Sequence, residues 1–177
     1  MNYFLSLGSN VGDRQKNLAR ALCLLEENGV EVLRKSFMYL TEPVDVLDQP
    51  WFINQAVEVA SSLTPHELLE LARRIEALLK RRRRQVKGPR TIDIDILLAG
   101  DTVIDTPELT IPHPHLPRRN FVLVPLAEIA PSARHPVLRK TVAAIARASQ
   151  DPSKVLKWEA GASGRAPLRK TGVRRTR

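Results

Sequence analysis

The run Gly88-Pro89-Arg90-Thr91-Ile92-Asp93-Ile94-Asp95-Ile96-Leu97-Leu98 constrains this chain more than any other stretch. Isoleucine and aspartate alternate within it. An extended strand sends successive side chains to opposite faces. Ile92, Ile94 and Ile96 therefore share one face, and Asp93 and Asp95 the other. The apolar face calls for a packed layer. The acidic face is costly, because aspartate is disfavoured in strands and neighbouring like charges repel. It is either the wet side of an antiparallel strand or a site where a cation offsets the repulsion.

The flanking elements follow from periodicity. Tyr3 to Leu7 predicts a strand stopped by a tight turn at Gly8-Ser9-Asn10. Leu18, Ala21, Leu22 and Leu25 define a helix from about Asp13, closed by Gly29, with Cys23 expected beside its buried stripe. Val30 to Thr41 and Phe52 to Ser61 read as extended, separated by a loop with Pro43 and Pro50. Thr64-Pro65-His66-Glu67 is a helix start with a capping box. A short hairpin is expected at 101–105, and short helices within 121–129 and 141–148. Strand, helix, strand, strand, helix, strand is the split βαβ order of a ferredoxin-like α+β domain, a mainly antiparallel sheet with packed helices.

With 177 residues and 43% hydrophobic content, the chain suits one domain with a real core. No run of ~20 apolar residues is present to span a bilayer. The N-terminal segment lacks the basic and apolar regions of a secretory signal. Cys23 is the only cysteine, so no internal disulfide forms, and a cytoplasmic protein is expected. The net charge of +9 suggests nucleic acid until it is located: residues 151–177 carry eight Lys/Arg against Asp151 and Glu159, six of the nine excess charges. That segment has too little apolar surface to offset its ordering entropy. It reads as a disordered basic tail, dispensable for kinetics, after a domain of residues 1–150.

Arg90 and the basic run Lys80 to Arg84 favour the cation reading of Asp93 and Asp95. Oxygen-only ligands point to Mg²⁺, which keeps several waters and is completed by substrate phosphates. The basic run is either a solvated helix end, suited to the helix dipole, or an arginine loop that closes on polyphosphate. His113-Pro114-His115 lacks a third nitrogen or sulfur ligand for zinc. One histidine beside Arg118 and Arg119 suits phosphate contact better. An RNA-binding module of the same fold would need aromatics on its sheet, and only eight Trp, Tyr and Phe exist in all. A metal-dependent nuclease would want further carboxylates near the aspartate pair.

Taken together, Leu7-Gly8-Ser9-Asn10, Gln49 to Val57, Arg74-Ile75-Glu76, Gly88 to Leu97, Ile111-Pro112-His113 and Arg119 to Leu126 are ordered motifs at fitting separations. From Phe4 to about Pro136 the chain resembles the 6-hydroxymethyl-7,8-dihydropterin pyrophosphokinase family. The resemblance implies transfer of the β,γ-diphosphoryl unit of ATP to the pterin hydroxymethyl group in folate biosynthesis, releasing AMP. It implies Asp93 and Asp95 as ligands of two Mg²⁺ ions. Arg81, Arg83, Arg90 and Arg119 become catalytic phosphate-contacting groups, and Arg73, Glu76, His113 and Arg119 ATP-binding ones. Phe52 and Phe121 would sandwich the pterin, Asn54 would pair with its edge, and Thr41, Pro43 and Val44 would present backbone groups. Lys80, Val86 and Lys87 depart from the family pattern. A monomer acting on small molecules, with no membrane or nucleic-acid partner, is expected.

Overall fold

The computed structural model describes residues 1–44, 46–79 and 88–158. Strand β1 (Asn2–Ser9) leads to helix α1 (Arg14–Glu27), strands β2 (Glu31–Lys35), β3 (Tyr39–Thr41) and β4 (Phe52–Ala60), helix α2 (Pro65–Leu78) and strand β5 (Asp93–Leu98). A small hairpin follows, of β6 (Ile104–Asp105) and β7 (Thr110–Ile111). Then come α3 (Asn120–Ile129), α4 (Val142–Ala148) and β8 (Val155–Lys157). The main sheet runs β5-β1-β4-β3-β8, with β2 also on β4, and its ladders are antiparallel. The expected ferredoxin-like α+β order is present, with α3, α4 and β8 added after it.

Alternation along the strands sorts the core into two layers. Tyr3, Leu5, Leu7, Ile53, Val57, Val59, Ile94 and Ile96 pack with the buried stripes of α1 and α2. Ala56, Leu97 and Leu98 pack with α3 and α4 on the opposite side. The α2 start is the expected capping box: Thr64 Oγ1 accepts from Glu67 N, and Glu67 accepts from Thr64 N at 2.7 Å. Such a cap contributes about 1 kcal/mol.

Three expectations change. Gly8 and Ser9 do not stop β1; they pair with Asn54 and Ile53 of β4, and the strand continues to Ser9. Cys23 is exposed, because each residue turns ~100° around a helix and the buried stripe of Leu18, Ala21, Leu22 and Leu25 faces the other way. The segment expected to leave the fold at residue 151 stays in it as far as Trp158. β8 pairs with β3, Trp158 N donates to Met38 O at 2.8 Å, and Arg14 stands 5.5 Å from the Trp158 ring centroid. Composition misjudged it because eight residues that add to an existing edge need no core of their own. Residues 159–177 lie outside the described residues.

His135, in the turn between α3 and α4, gives a pH prediction. It is buried, and its Nδ1 accepts from Leu138 N at 3.2 Å. Burial lowers its pKa, so the folded state favours the neutral ring. The unfolded chain therefore takes up the proton first. This group's contribution is full above about pH 6.5 and is lost as pH falls from there through the lowered folded value. Urea midpoints at pH 8 and pH 5 should differ less for His135→Asn, which keeps an acceptor but cannot titrate. Equal differences in the two proteins would count against this assignment.

Candidate active site

The sheet face bearing Asp93 and Asp95 is not fully covered by α3 and α4, and a pocket opens there. Ser6, Gly8, Thr41, Glu42, Pro43, Val44, Gln49, Phe52, Asn54, Arg90, Asp93, Asp95, Arg119 and Phe121 line it. Ten residues expected from the sequence are thus brought together: Thr41, Pro43, Val44, Phe52, Asn54, Arg90, Asp93, Asp95, Arg119 and Phe121.

The strand register explains the floor. Gly8 lies opposite both Asn54 and Asp93, and Ser6 lies opposite Asp95. Asn54 is buried, and its Nδ2 donates to Thr41 Oγ1 at 2.6 Å. Its Oδ1 lies over Gly8, only 2.5 Å from where a Cβ would stand. Glycine is therefore required by close approach, not by backbone torsion. The carboxamide is held between Gly8 and Thr41, with its donor and acceptor atoms at the pocket.

The walls are cationic and aromatic. Arg90 pairs with Asp93, and its Cζ lies 5.9 Å from the Phe52 ring centroid. Arg119 Cζ lies 5.6 Å from the Phe121 ring centroid. Asn10 ties this wall to the loop before β4. Its Oδ1 accepts from Arg90 N at 2.8 Å, and its Nδ2 donates to Gln49 Oε1 at 3.1 Å and Pro50 O at 3.0 Å. Sequence reasoning named none of Ser6, Glu42, Gln49 and Asn10 as a site residue; Asn10 and Gln49 stood within the motifs that carry the family resemblance.

Asp95 also lines a second groove, along the β5 edge, with Leu69, Ile94, Ile96, Glu108, Leu109, Thr110 and His113 among its other residues. Asp95 thus lies on both cavities, with Asp93 beside it in the first. Burial lowers the His113 pKa to about 4, helped by Arg119 and His115 and opposed by Asp93. Its imidazole is therefore neutral at pH 7. Nδ1 accepts from His115 N at 3.2 Å, leaving the proton on Nε2.

Arg73 and Glu76 line neither cavity. Arg73 pairs with Glu70 at 2.6 Å and reaches the carbonyl of Glu108, on the rim of the groove, at 3.5 Å. Glu76 is buried, and its Oε1 accepts from Ile94 N at 2.9 Å, joining α2 to the open edge of β5. Arg81, Arg83, Lys80, Val86 and Lys87 lie outside the described residues.

The donor set suits a hard, hydrated cation. Asp93 and Asp95 are half-buried, alternate on one strand and share the pocket. Among the described residues no group of three or more His, Cys, Asp and Glu is placed to enclose a metal. Two oxygen ligands without an enclosing cage match Mg²⁺, which recruits water and substrate oxygens, and mismatch zinc.

A family model described as 7,8-dihydro-6-hydroxymethylpterin-pyrophosphokinase matches residues 4–131. The 2-amino-4-hydroxy-6-hydroxymethyldihydropteridine pyrophosphokinase of Bacillus subtilis is 49% identical over 127 residues, 71% of this chain and 76% of that protein. The protein of the same name from Methylorubrum extorquens is 46% identical over 129 residues, 72% of this chain and 82% of that protein. A folate synthesis bifunctional protein of Arabidopsis thaliana is 44% identical over 126 residues, but this chain spans only 26% of its length. In fold, the chain is similar to the crystal structure of Plasmodium falciparum HPPK-DHPS wild type with SDX-DHP. The TM-score is 0.63 at 17% identity, covering 83% of this chain and 43% of that one. Matched through the pocket floor, the aspartate strand and the start of α3, this chain belongs to the 7,8-dihydro-6-hydroxymethylpterin-pyrophosphokinase family.

Proposed function

We propose that this protein transfers the β,γ-diphosphoryl unit of ATP to the hydroxymethyl group of 6-hydroxymethyl-7,8-dihydropterin in folate biosynthesis. The substrate oxygen attacks the β-phosphorus, the bond from that phosphorus to the α,β-bridging oxygen breaks, and AMP leaves with that oxygen. The observation that carries the reading is Asp95, which lines both cavities: the pocket it shares with Asp93, Asn54, Phe52 and Phe121 on one side and a groove on the other. The pterin lies in the pocket, its edge on Asn54 and its faces against Phe52 and Phe121. Flat faces give apolar contact and polar edges give specificity. Thr41, Pro43 and Val44 close the edge. The triphosphate lies along the groove, where neutral His113 donates from Nε2 and Arg73 meets the nucleotide at the rim.

Asp93 and Asp95 would hold Mg²⁺, two ions in our reading, supplying charge neutralisation and alignment of the phosphates. Arg90 and Arg119 stand on the pocket walls and meet phosphate oxygens as bidentate donors. By the family resemblance, Arg81 and Arg83 serve as further phosphate-contacting groups. No side-chain nucleophile is needed, since this chemistry rests on positioning and charge. Glu76 serves the nucleotide by holding β5 in place. We infer a cytoplasmic monomer, in keeping with its single cysteine; among the described residues no helix is long and apolar enough to cross a membrane.

The test is incubation with ATP, Mg²⁺ and the hydroxymethyl dihydropterin, with nucleotide products resolved. AMP should accumulate only when the pterin is present. ADP as product, or nucleotide breakdown indifferent to the pterin, would sink the proposal.

A further inference from the structure

Asp151 stands where composition placed the first residue of a tail, and it is instead bonded to the start of α3, between two residues that line the pocket. Its Oδ2 accepts from Asn120 N at 2.7 Å and its Oδ1 from Ser153 N at 2.9 Å. Its own carbonyl accepts from Asn120 Nδ2 at 2.8 Å. Burial pushes its carboxyl pKa up, but the bonds from Asn120 and Ser153 and the charge of Arg119 more than offset this, so it is an anion at neutral pH.

Asn120 is the first residue of α3, whose N-cap, Arg119, makes no side-chain capping bond. A helix start leaves backbone N–H groups unpaired and carries partial positive charge. Asp151, thirty-one residues further on, supplies the missing acceptor and the opposing charge. The two residues flanking Asn120 are Arg119 and Phe121, and both line the pocket. Fixing the backbone and the carboxamide of Asn120 together fixes the direction in which its two neighbours leave the chain. The same segment reaches the opposite wall, where Glu42 N donates to Lys154 O at 3.0 Å.

We propose that Asp151 is a positioning residue for pterin binding, acting through Asn120 to set Arg119 and Phe121 at the pocket. The inference rests on the proposed function. It is tested by equilibrium binding of the hydroxymethyl dihydropterin in the presence of Mg²⁺ and a non-hydrolysable ATP analogue, alongside steady-state kinetics and melting temperature. Asp151→Ala should weaken pterin binding about tenfold while lowering kcat at saturating substrates less than about threefold. Asp151→Asn keeps one acceptor oxygen and should recover to within about threefold of the parent. Ile129→Val, at the far end of α3, lowers stability without touching the helix start and should leave pterin affinity unchanged. The inference is overturned if Asp151→Ala and Asp151→Asn both bind like the parent, or if Ile129→Val loses as much affinity as Asp151→Ala. A parent that binds no dihydropterin defeats the functional reading, and the inference with it.

Discussion

Asp95→Ala should lower turnover by at least about 10³-fold and leave the melting temperature nearly unchanged. The two effects separate because of how β5 is built. Ile94 and Ile96 hold the strand in the core, and Asp95 points away from them into both cavities. Removing one of two like charges on a strand face relieves repulsion. On the proposed role of Asp95, chemistry would lose a ligand for the cation that neutralises the phosphates. Metal charge stabilisation amounts to several kcal/mol, and each ~1.4 kcal/mol is a factor of ten in rate. Single-turnover AMP formation and a thermal melt on the same preparation check both halves. Near-normal turnover in a folded variant would remove the metal assignment.

Gly8→Ala should weaken pterin affinity by about 10- to 100-fold, although it adds only one methyl group. The new Cβ would sit 2.5 Å from Asn54 Oδ1 and 3.8 Å from Phe52 Cδ1. The carboxamide has no free direction to yield, because its other end is bonded to Thr41 Oγ1 at 2.6 Å. It must rotate, break that bond and lose the alignment with the ring edge that the proposed function gives it. A misplaced buried polar group costs about 1–3 kcal/mol, and overpacking adds a similar amount to the loss of fold stability. Titration with the dihydropterin reads the first effect and urea unfolding the second. Unchanged affinity would take Asn54 out of the recognition of the ring edge.

The aspartate strand was legible because period-2 alternation is a local property, and a strand cannot carry Ile92, Ile94 and Ile96 inward without turning Asp93 and Asp95 outward. The α2 start was legible for the same reason, since Thr64 and Glu67 cap each other across three residues. Pocket residues such as Asn54 and Phe52 said little singly and gained meaning only through their resemblance to known motifs. What stayed hidden depends on contacts between distant positions. Gly8 looked like a strand terminator because its real constraint comes from Asn54, across the sheet. Asn10 looked like part of a turn because its partners are Gln49, Pro50 and Arg90. The 151–158 segment looked unstructured because its composition was averaged with the basic residues after it, and because an added edge strand draws its stability from the sheet it joins.

The late docking of β8 has a consequence during synthesis. Glu42 waits 112 residues for Lys154. At ~5–20 residues per second that interval is roughly five to twenty seconds. Throughout it, the edge of β3 that carries Thr41 is an open template for any passing strand. Once Phe121 has been made, every residue that lines the pocket is present, but Asp151, which bonds Asn120 between Arg119 and Phe121, is not. Newly made chains therefore carry this open edge until β8 has emerged and paired with β3.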